Sequence, residues 1–302
     1  MLAVEHALAR AAVNAEGGLD HPALANLQTT QARHRLNKLK ECVPAKQKRL
    51  QSVGGTWAKL VEGPRNCVPG PKRVDVPAIN RAYFKMREIM LSCALDIPEK
   101  TVHLCEAPGG YVQAAYEDAP DSWQWRALTL ASGPAPALPH DVMQHGSFVF
   151  ADVLTAQRAV LCEEQGWAKL VTADGAVEMD HNRLEEEHFP LLLAQTQLGL
   201  ECLAQGGDMV IKFFEGLVNC TQVWIALLTT RFAYVTIIKP NTSRPTNSER
   251  FLVCRGFSGD RSSLPATASV CDKWLHIVLW PVLERMALVQ SEALVSAFAK
   301  VP

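Results

Sequence analysis

The stretch from Thr101 to Gln113, Thr-Val-His-Leu-Cys-Glu-Ala-Pro-Gly-Gly-Tyr-Val-Gln, constrains the fold of this chain more than any other. A short apolar run ends in Glu106-Ala107-Pro108-Gly109-Gly110, and a helix-compatible segment, Tyr111 to Tyr116, follows at once. A run, a tight turn and a helix start read as a buried strand feeding a helix. Adjacent glycines let the backbone approach a ligand and adopt dihedrals that a side chain forbids. In open α/β sheets, ligands sit outside the carboxyl ends of such strands. Taken alone, Pro-Gly-Gly also suits an ordinary strand-to-helix turn.

Beyond this turn, apolar runs alternate with helical segments. Further strands are expected at Trp125–Leu130, Phe148–Phe150, Lys169–Ala173, Met209–Phe213, Tyr234–Ile238 and Phe251–Cys254. Helices are expected at Ile79–Met90, Arg183–Ala204 and Leu217–Arg231. The alternation predicts an α/β fold, a Rossmann-like, doubly wound and mostly parallel seven-stranded sheet. Its last two strands flank the polar loop Lys239–Arg250 and read as an antiparallel edge hairpin. Residues 1–75 read as a helical, basic N-terminal extension, 76–262 as the core domain and 263–302 as a C-terminal helical extension. Within these, residues 1 to about 30 begin with an Ala-rich helical pattern, carry Gly17-Gly18, and show no chemistry. The breakers from Gly63-Pro64-Arg65 to Pro69-Gly70-Pro71 read as a linker, and the C-terminal helix is expected to be interrupted near Pro281.

A length of 302 residues, 48% hydrophobic and 20% charged, is ample for a packed core and ordinary for a soluble protein. The nine cysteines are scattered singly, with no Cys-x-x-Cys pair. That favours reduced thiols and an intracellular setting over a zinc ribbon or disulfide framework. The N-terminus lacks the basic-then-apolar pattern of a secretory signal, and no apolar run is long enough to span a bilayer.

Charge is unevenly spread. Between Arg33 and Arg73 there are eleven cations, opposed only by Glu41 and Glu62. Such a bias suits a surface that meets phosphates, and equally a solvated helix face, since Leu36, Leu39, Val43 and Leu50 roughly keep helical spacing. Lys46, Lys48 and Arg49 are the candidate phosphate contacts here.

Polar residues also recur at the ends of the apolar runs. Asp174 closes Lys169–Ala173 and precedes Gly175, which sets a carboxylate at the carboxyl edge of the sheet. Lys212 interrupts Met209-Val210-Ile211-Lys212-Phe213-Phe214, and burying an ammonium is costly unless it is paired or its pKa falls. Asp152 follows the strand Phe148–Phe150 and suits either an adenine or ribose contact or a helix N-cap. Lys85 lies mid-helix, and Glu249 ends the polar loop. The turn is neither Gly-x-Gly-x-x-Gly nor a P-loop, so a small nucleoside ligand fits it better than a phosphate-rich one.

Five features occur in order: Lys85 on a helix, the Ala-Pro-Gly-Gly turn, Val171-Thr172-Ala173-Asp174-Gly175, the strand residue Lys212, and Lys239-Pro240-x-x-Ser243-Arg244-x-x-x-Ser248-Glu249. The series resembles the FtsJ-like ribose 2′-O-methyltransferases, and among them the mRNA cap methyltransferases of the cap 2 type, eukaryotic or viral. The resemblance implies a methyltransferase sheet, S-adenosylmethionine as cofactor and a catalytic tetrad of Lys85, Asp174, Lys212 and Glu249. It implies cofactor contacts from Glu106, Ala107, Pro108, Gly109, Gly110 and Tyr111, with Asp152 near the adenine and Asp174 near the amino-acid end. It places Ser243, Arg244 and Ser248 by the acceptor RNA strand. Departures from the pattern are His103, where bacterial members carry aspartate, Glu106 in place of a small residue, and the lack of an acid in Leu128-Thr129-Leu130. Glu106 is the candidate for the ribose contact that the second strand lacks.

An ordinary lysine, with a pKa of about 10.4, is protonated at neutral pH and cannot act as a base. Burial among Ile211, Phe213 and Phe214, with Lys85 nearby, is expected to lower the pKa of Lys212 and make it the general base. Lys85 then orients the hydroxyl, Asp174 and Glu249 hold the lysines, and the scheme needs no metal. The expected partners are capped RNA, other capping enzymes or a polymerase, with no membrane. The expected setting is nucleus or cytoplasm, or host cytoplasm or virion for a viral protein. Alternatives are a ribosomal or transfer RNA 2′-O-methyltransferase and a non-catalytic cofactor-binding partner of another RNA-modifying enzyme.

Overall fold

The computed structural model describes residues 4–8, 13–14, 26–62, 68–176, 184–264, 269–270 and 275–301. The Gly17-Gly18 pair, the breakers Gly63-Pro64-Arg65 and Cys271 lie outside the described residues. In chain order the strands are β1 (Val4–Leu8), β2 (Val13–Asn14), β3 (Lys100–Leu104), β4 (Gln124–Thr129), β5 (Gly146–Phe150) and β6 (Ala168–Ala173). They continue with β7 (Leu203–Phe214), β8 (Phe232–Lys239), β9 (Glu249–Phe257) and β10 (Ser269–Val270). The main sheet runs β1-β8-β9-β7-β6-β3-β4-β5, while β2 and β10 pair separately.

All seven expected strands are present. Strands β7, β6, β3, β4 and β5 are parallel neighbours, and β9 and β8 add antiparallel to β7 as the expected hairpin. The sequence reading differs at one edge. Val4–Leu8, expected in a helical start, is an eighth strand paired antiparallel to β8, with Val4 opposite Lys239 and Leu8 opposite Val235. An open hairpin edge offers a row of unpaired amides and carbonyls, and that pairing overrides the weak helical preference of a short Ala-containing run. The hairpin is therefore one strand in from the edge.

Helices α1 (Asn26–Glu41), α2 (Val43–Ser52), α3 (Trp57–Leu60), α4 (Arg81–Ser92) and α5 (Gly110–Tyr116) come first. After them come α6 (His140–Met143), α7 (Leu184–Cys202), α8 (Asn219–Arg231) and α9 (Trp280–Ala299). Two cores follow, one on each face of the sheet. Tyr83, Met86 and Ile89 of α4 and Tyr111 and Val112 of α5 pack on one face with Trp123 and Trp125. On the other face, α7 and α8 pack with Leu36 of α1 and Leu283 and Met286 of α9. The expected break near Pro281 takes the form of a change of helix type between Leu279 and Trp280. A π-helical turn, Leu275–Leu279, leads into α9, and Pro281, which has no N–H to donate back to that turn, sits in the first turn of α9.

Candidate active site

The period-2 alternation of strands decides which polar residues meet. Leu170 of β6, Val210 of β7 and Phe251 of β9 all belong to the core beneath α4 and α5. Asp174, Lys212 and Glu249 have the same parity, so they point to that face as well. Register then aligns them along the sheet. Lys212 lies opposite Phe251, Phe214 opposite Glu249, and Ala173 beside Ile211, one residue before Asp174. Lys85, on the inner side of α4, reaches the same spot from above.

Two ion pairs result. Lys212 Nζ lies 2.9 Å from Asp174 Oδ1 and donates to the Asp174 carbonyl at 2.6 Å. Lys85 Nζ donates to Glu249 Oε2 at 3.0 Å. Lys85, Lys212 and Glu249 are all under 10% exposed, so each charge depends on its partner. Burial pulls the Lys85 ammonium down, but Glu249 and then Asp174 outweigh it and hold Lys85 above the usual lysine range. Burial likewise opposes ionisation of Glu249, yet Lys85, Lys212 and Lys239 bring its carboxyl down to about 2. The Ser243 hydroxyl adds a bond to Glu249 Oε1 at 2.7 Å.

Next to this centre, the β3–α5 turn forms a cradle. Cys105 has φ +57°, the Ala107–Pro108 bond is cis, and Gly109 has φ +121°. A Cβ on Gly109 would lie 2.6 Å from Leu138, and one on Gly110 would lie 2.2 Å from the Asn80 side chain that caps α4. Both glycines are thus required by space, and Gly109 also by its dihedral. Glu106 folds back so that Oε1 accepts from the Tyr111 amide at 2.6 Å and the Val112 amide at 3.1 Å. Its carboxylate therefore caps α5. Burial pushes Glu106 up to about 8, against the pull of those amides. The Tyr111 phenol faces Asp174, and burial together with the nearby carboxylates keeps it protonated. His103 lies beneath, bonded to Thr172 at 2.8 Å and Thr101 at 2.9 Å, and burial drives its pKa down to about 3. It is a neutral part of the core.

Loop 240–248 closes the acceptor side, and residues of no local pattern hold it. Glu88, one turn past Lys85, accepts from the Asn241 amide and side chain at 2.7 Å and from the Thr242 amide at 2.8 Å. Arg81 donates to the Thr242 carbonyl. Lys239 donates to the Asn247 carbonyl at 2.7 Å, the Glu249 carbonyl at 3.0 Å and the Ser243 hydroxyl at 3.3 Å. Burial, reinforced by Arg250 and Lys85, draws Lys239 down to about 7 against Glu249. Gln195 accepts from the Gly175 amide at 2.9 Å, fixing the turn after Asp174. Of these, Lys239 stands in the sequence motif without an assigned role, and the sequence reading missed Glu88, Arg81 and Gln195 as loop anchors. A carboxylate among the apolar positions of α4 was the one available signal.

The remaining sequence candidates are distributed as follows. Asp152 is exposed, and its Oδ1 accepts from the Leu154 amide at 3.0 Å, as a turn cap does. Ser243 and Ser248 are buried, with hydroxyls engaged by Glu249 and Glu215, whereas the Arg244 side chain is half-buried at the loop surface. On α2, Lys48 and Arg49 are exposed and Lys46 stands 5.8 Å from the Phe298 ring. The basic segment is not uniformly outward. Lys40 is buried against Glu215, and Arg73 donates to the Tyr116 and Ala119 carbonyls at 2.9 and 2.6 Å. Among the described residues no group of three His, Cys, Asp or Glu is placed to hold a metal ion, and no helix is long and apolar enough to cross a membrane.

Sheet order, glycine turn and buried lysine–carboxylate centre define the class: a doubly wound, methyltransferase-type fold with an antiparallel hairpin. The chain belongs to the FtsJ-like methyltransferase family, whose model matches residues 78–257. Over 245 residues it is 28% identical to the cap-specific mRNA (nucleoside-2′-O-)-methyltransferase 2 of Drosophila melanogaster, covering 72% of this chain and 32% of that protein. Over 87 residues it is 39% identical to the cap-specific mRNA (nucleoside-2′-O-)-methyltransferase of Autographa californica nuclear polyhedrosis virus, covering 28% and 33%. The chain thus spans about a third of the length of these relatives. A solved Plasmodium falciparum chain described as a ribosomal RNA methyltransferase aligns with TM-score 0.48 at 17% identity, over 60% of this chain and 99% of that one.

Proposed function

We propose that this chain transfers a methyl group from S-adenosylmethionine to the ribose 2′-hydroxyl of a 5′-proximal nucleotide in capped mRNA. The observation that carries the reading is the pair of buried lysine–carboxylate contacts, Lys85–Glu249 and Lys212–Asp174, on one sheet face beside a glycine cradle. The cradle residues suit a nucleoside-type cofactor. The backbone runs bare at Gly109 and Gly110, whose side-chain space Leu138 and Asn80 already take, so a ligand can meet main-chain atoms there, and Asp174 offers a carboxylate to an amino group. S-adenosylmethionine, when bound, supplies an activated methyl group on sulfur.

The protein's own residues then have the alignment and the proton to manage. Lys85, held charged by Glu249, donates to the acceptor oxygen and fixes its direction. Lys212, as the neutral amine, would take the hydroxyl proton on Nζ while the oxygen gains the methyl group and sulfur keeps the electron pair of the broken carbon–sulfur bond, and Asp174 would hold the resulting lysinium. Lys85 is unsuited to that step because its carboxylate neighbours hold it protonated. Glu249 stays ionised at any physiological pH and so keeps Lys85 in place. The exposed cations of α2 and Arg244 draw in the phosphate backbone.

The choice of capped mRNA rests on the names of the relatives. Transfer of labelled methyl to short capped and uncapped RNAs of one sequence tests it. Preference for the capped RNA is expected. Equal transfer to both, or transfer only to structured ribosomal or transfer RNA, would move the substrate to that class.

A further inference from the structure

Glu215 is a buried carboxylate that no step above uses. It follows β7 directly, three residues beyond Lys212, with φ +50°. Its amide donates to the Ser248 carbonyl at 3.2 Å, and its carbonyl accepts from the Arg250 guanidinium. Both neighbours of Glu249 in the chain are thereby tied to this residue. Its side chain does more. Oε1 accepts from the Ser248 hydroxyl at 2.7 Å and from Lys40 Nζ, which α1 delivers to the same spot. The Ser248 hydroxyl in turn receives Gln290 Nε2 of α9 at 3.2 Å, and that amide also donates to the Thr246 carbonyl at 3.2 Å. Lys40, Glu215, Ser248 and Gln290 are each under 8% exposed.

Two helices from opposite ends of the chain thus converge on one residue beside the centre. Neither α1 nor α9 lies within the family-matched residues 78–257. A buried carboxylate left without its counter-charge is unfavourable enough to shift or to draw in water. The loop that it holds would shift with it.

We propose that the chain of contacts Lys40–Glu215–Ser248–Gln290 is a positioning device, through which α1 and α9 fix Glu249 and hence Lys85 for methyl transfer. The inference rests on the proposed transfer reaction. It makes the two terminal extensions working parts of the site and Glu215 a positioning residue, without contact to the reacting atoms.

The test uses the full chain with Lys40→Met, Glu215→Gln, the double variant and the conservative Lys40→Arg. Each disruptive single change is expected to lower kcat about 10- to 100-fold, as misplacement of reacting groups does, with cofactor Kd and RNA KM within about threefold. The double variant should be no slower than the slower single one, because both break one chain of contacts. Lys40→Arg should recover most of the rate. A kcat within about twofold of the parent, multiplying losses, or loss that follows cofactor affinity would overturn the proposal. Hydrogen exchange supplies a readout independent of turnover. In Glu215→Gln, the amides of residues 247–250 should exchange faster while those of β3 and α5 keep their parent rates. A parent protein that transfers no methyl defeats the functional reading, and the exchange pattern then decides the brace. Unchanged exchange at 247–250 overturns it.

Discussion

Glu106 and Glu249 are both buried carboxylates at the same end of the sheet, yet their surroundings treat them oppositely. Glu106 meets two amides of its own turn, and burial raises it to about 8. Glu249 sits among Lys85, Lys212 and Lys239, and falls to about 2. The contrast extends to the segments that carry them. In the cradle the side-chain hydrogen bonds are local, from Glu106 to amides five and six positions on, while Leu138 and Asn80 press on its glycines. The loop before Glu249 is held by Glu88 across 153 residues, by Arg81 across 161, and through Ser248 by Glu215 and Gln290. The cradle's turn lies in one contiguous motif. The acceptor side is assembled from the whole chain.

The comparison can be broken hardest at Lys212. If proton chemistry belongs to the acceptor side alone, Lys212→Ala should lower kcat about 10²- to 10⁴-fold, the usual contribution of a general base, with cofactor Kd unchanged by calorimetry. Parallel loss of cofactor binding would merge the two regions into one.

The next largest effect is on stability against pH. Glu249, lowered from an ordinary 4.5 to about 2, contributes about 3 kcal/mol above pH 4.5 that is lost as pH falls toward 2. Glu106, raised to about 8, has the opposite sign: its favourable contribution is complete below pH 4.5 and fades as pH rises through 8. Carbon NMR of the two carboxyl groups should show one titrating near each end. Titration of both near 4.5 would remove the distinction.

A smaller effect isolates the cradle. Gly109→Ala adds a Cβ at φ +121°, a strain of about 1–2 kcal/mol, and should weaken cofactor binding roughly tenfold. The rate at saturating cofactor should change far less. The smallest effect concerns the α2 surface. Replacing Lys46, Lys48 and Arg49 with Gln should reduce the salt slope of RNA binding by about two, given roughly 0.7 per phosphate contact on single strands. An unchanged slope would remove α2 from the RNA path.

What the sequence reveals follows the same division. The seven strands, the glycine turn, Asp174 and Lys212 are legible, because periodicity, glycine chemistry and a lysine inside an apolar run are local signals, whereas Lys85 on its helix and Glu249 in its loop are singled out only by the resemblance. Strand parity accounts for the shared face of Asp174, Lys212 and Glu249, while Lys85 arrives from a helix. Lys40 shows the limit. In the sequence it is one cation among eleven, and only the fold turns it inward to Glu215. Glu88 was equally silent, defined by backbone amides that the chain brings from 153 residues away, and Gln195 by the Gly175 amide. The strand Val4–Leu8 was missed for the same reason, since it forms to pair an edge and not from any pattern of its own.

The most direct test of the central claim is to map the methyl group itself. A short capped RNA is incubated with the full chain and cofactor carrying a labelled methyl group, then digested to nucleosides with the cap-proximal residues kept separate. The account predicts label on the ribose 2′-oxygen of a nucleotide next to the cap, and none after Lys212→Ala. Label on a base, on an internal ribose, or at undiminished level in Lys212→Ala would contradict it.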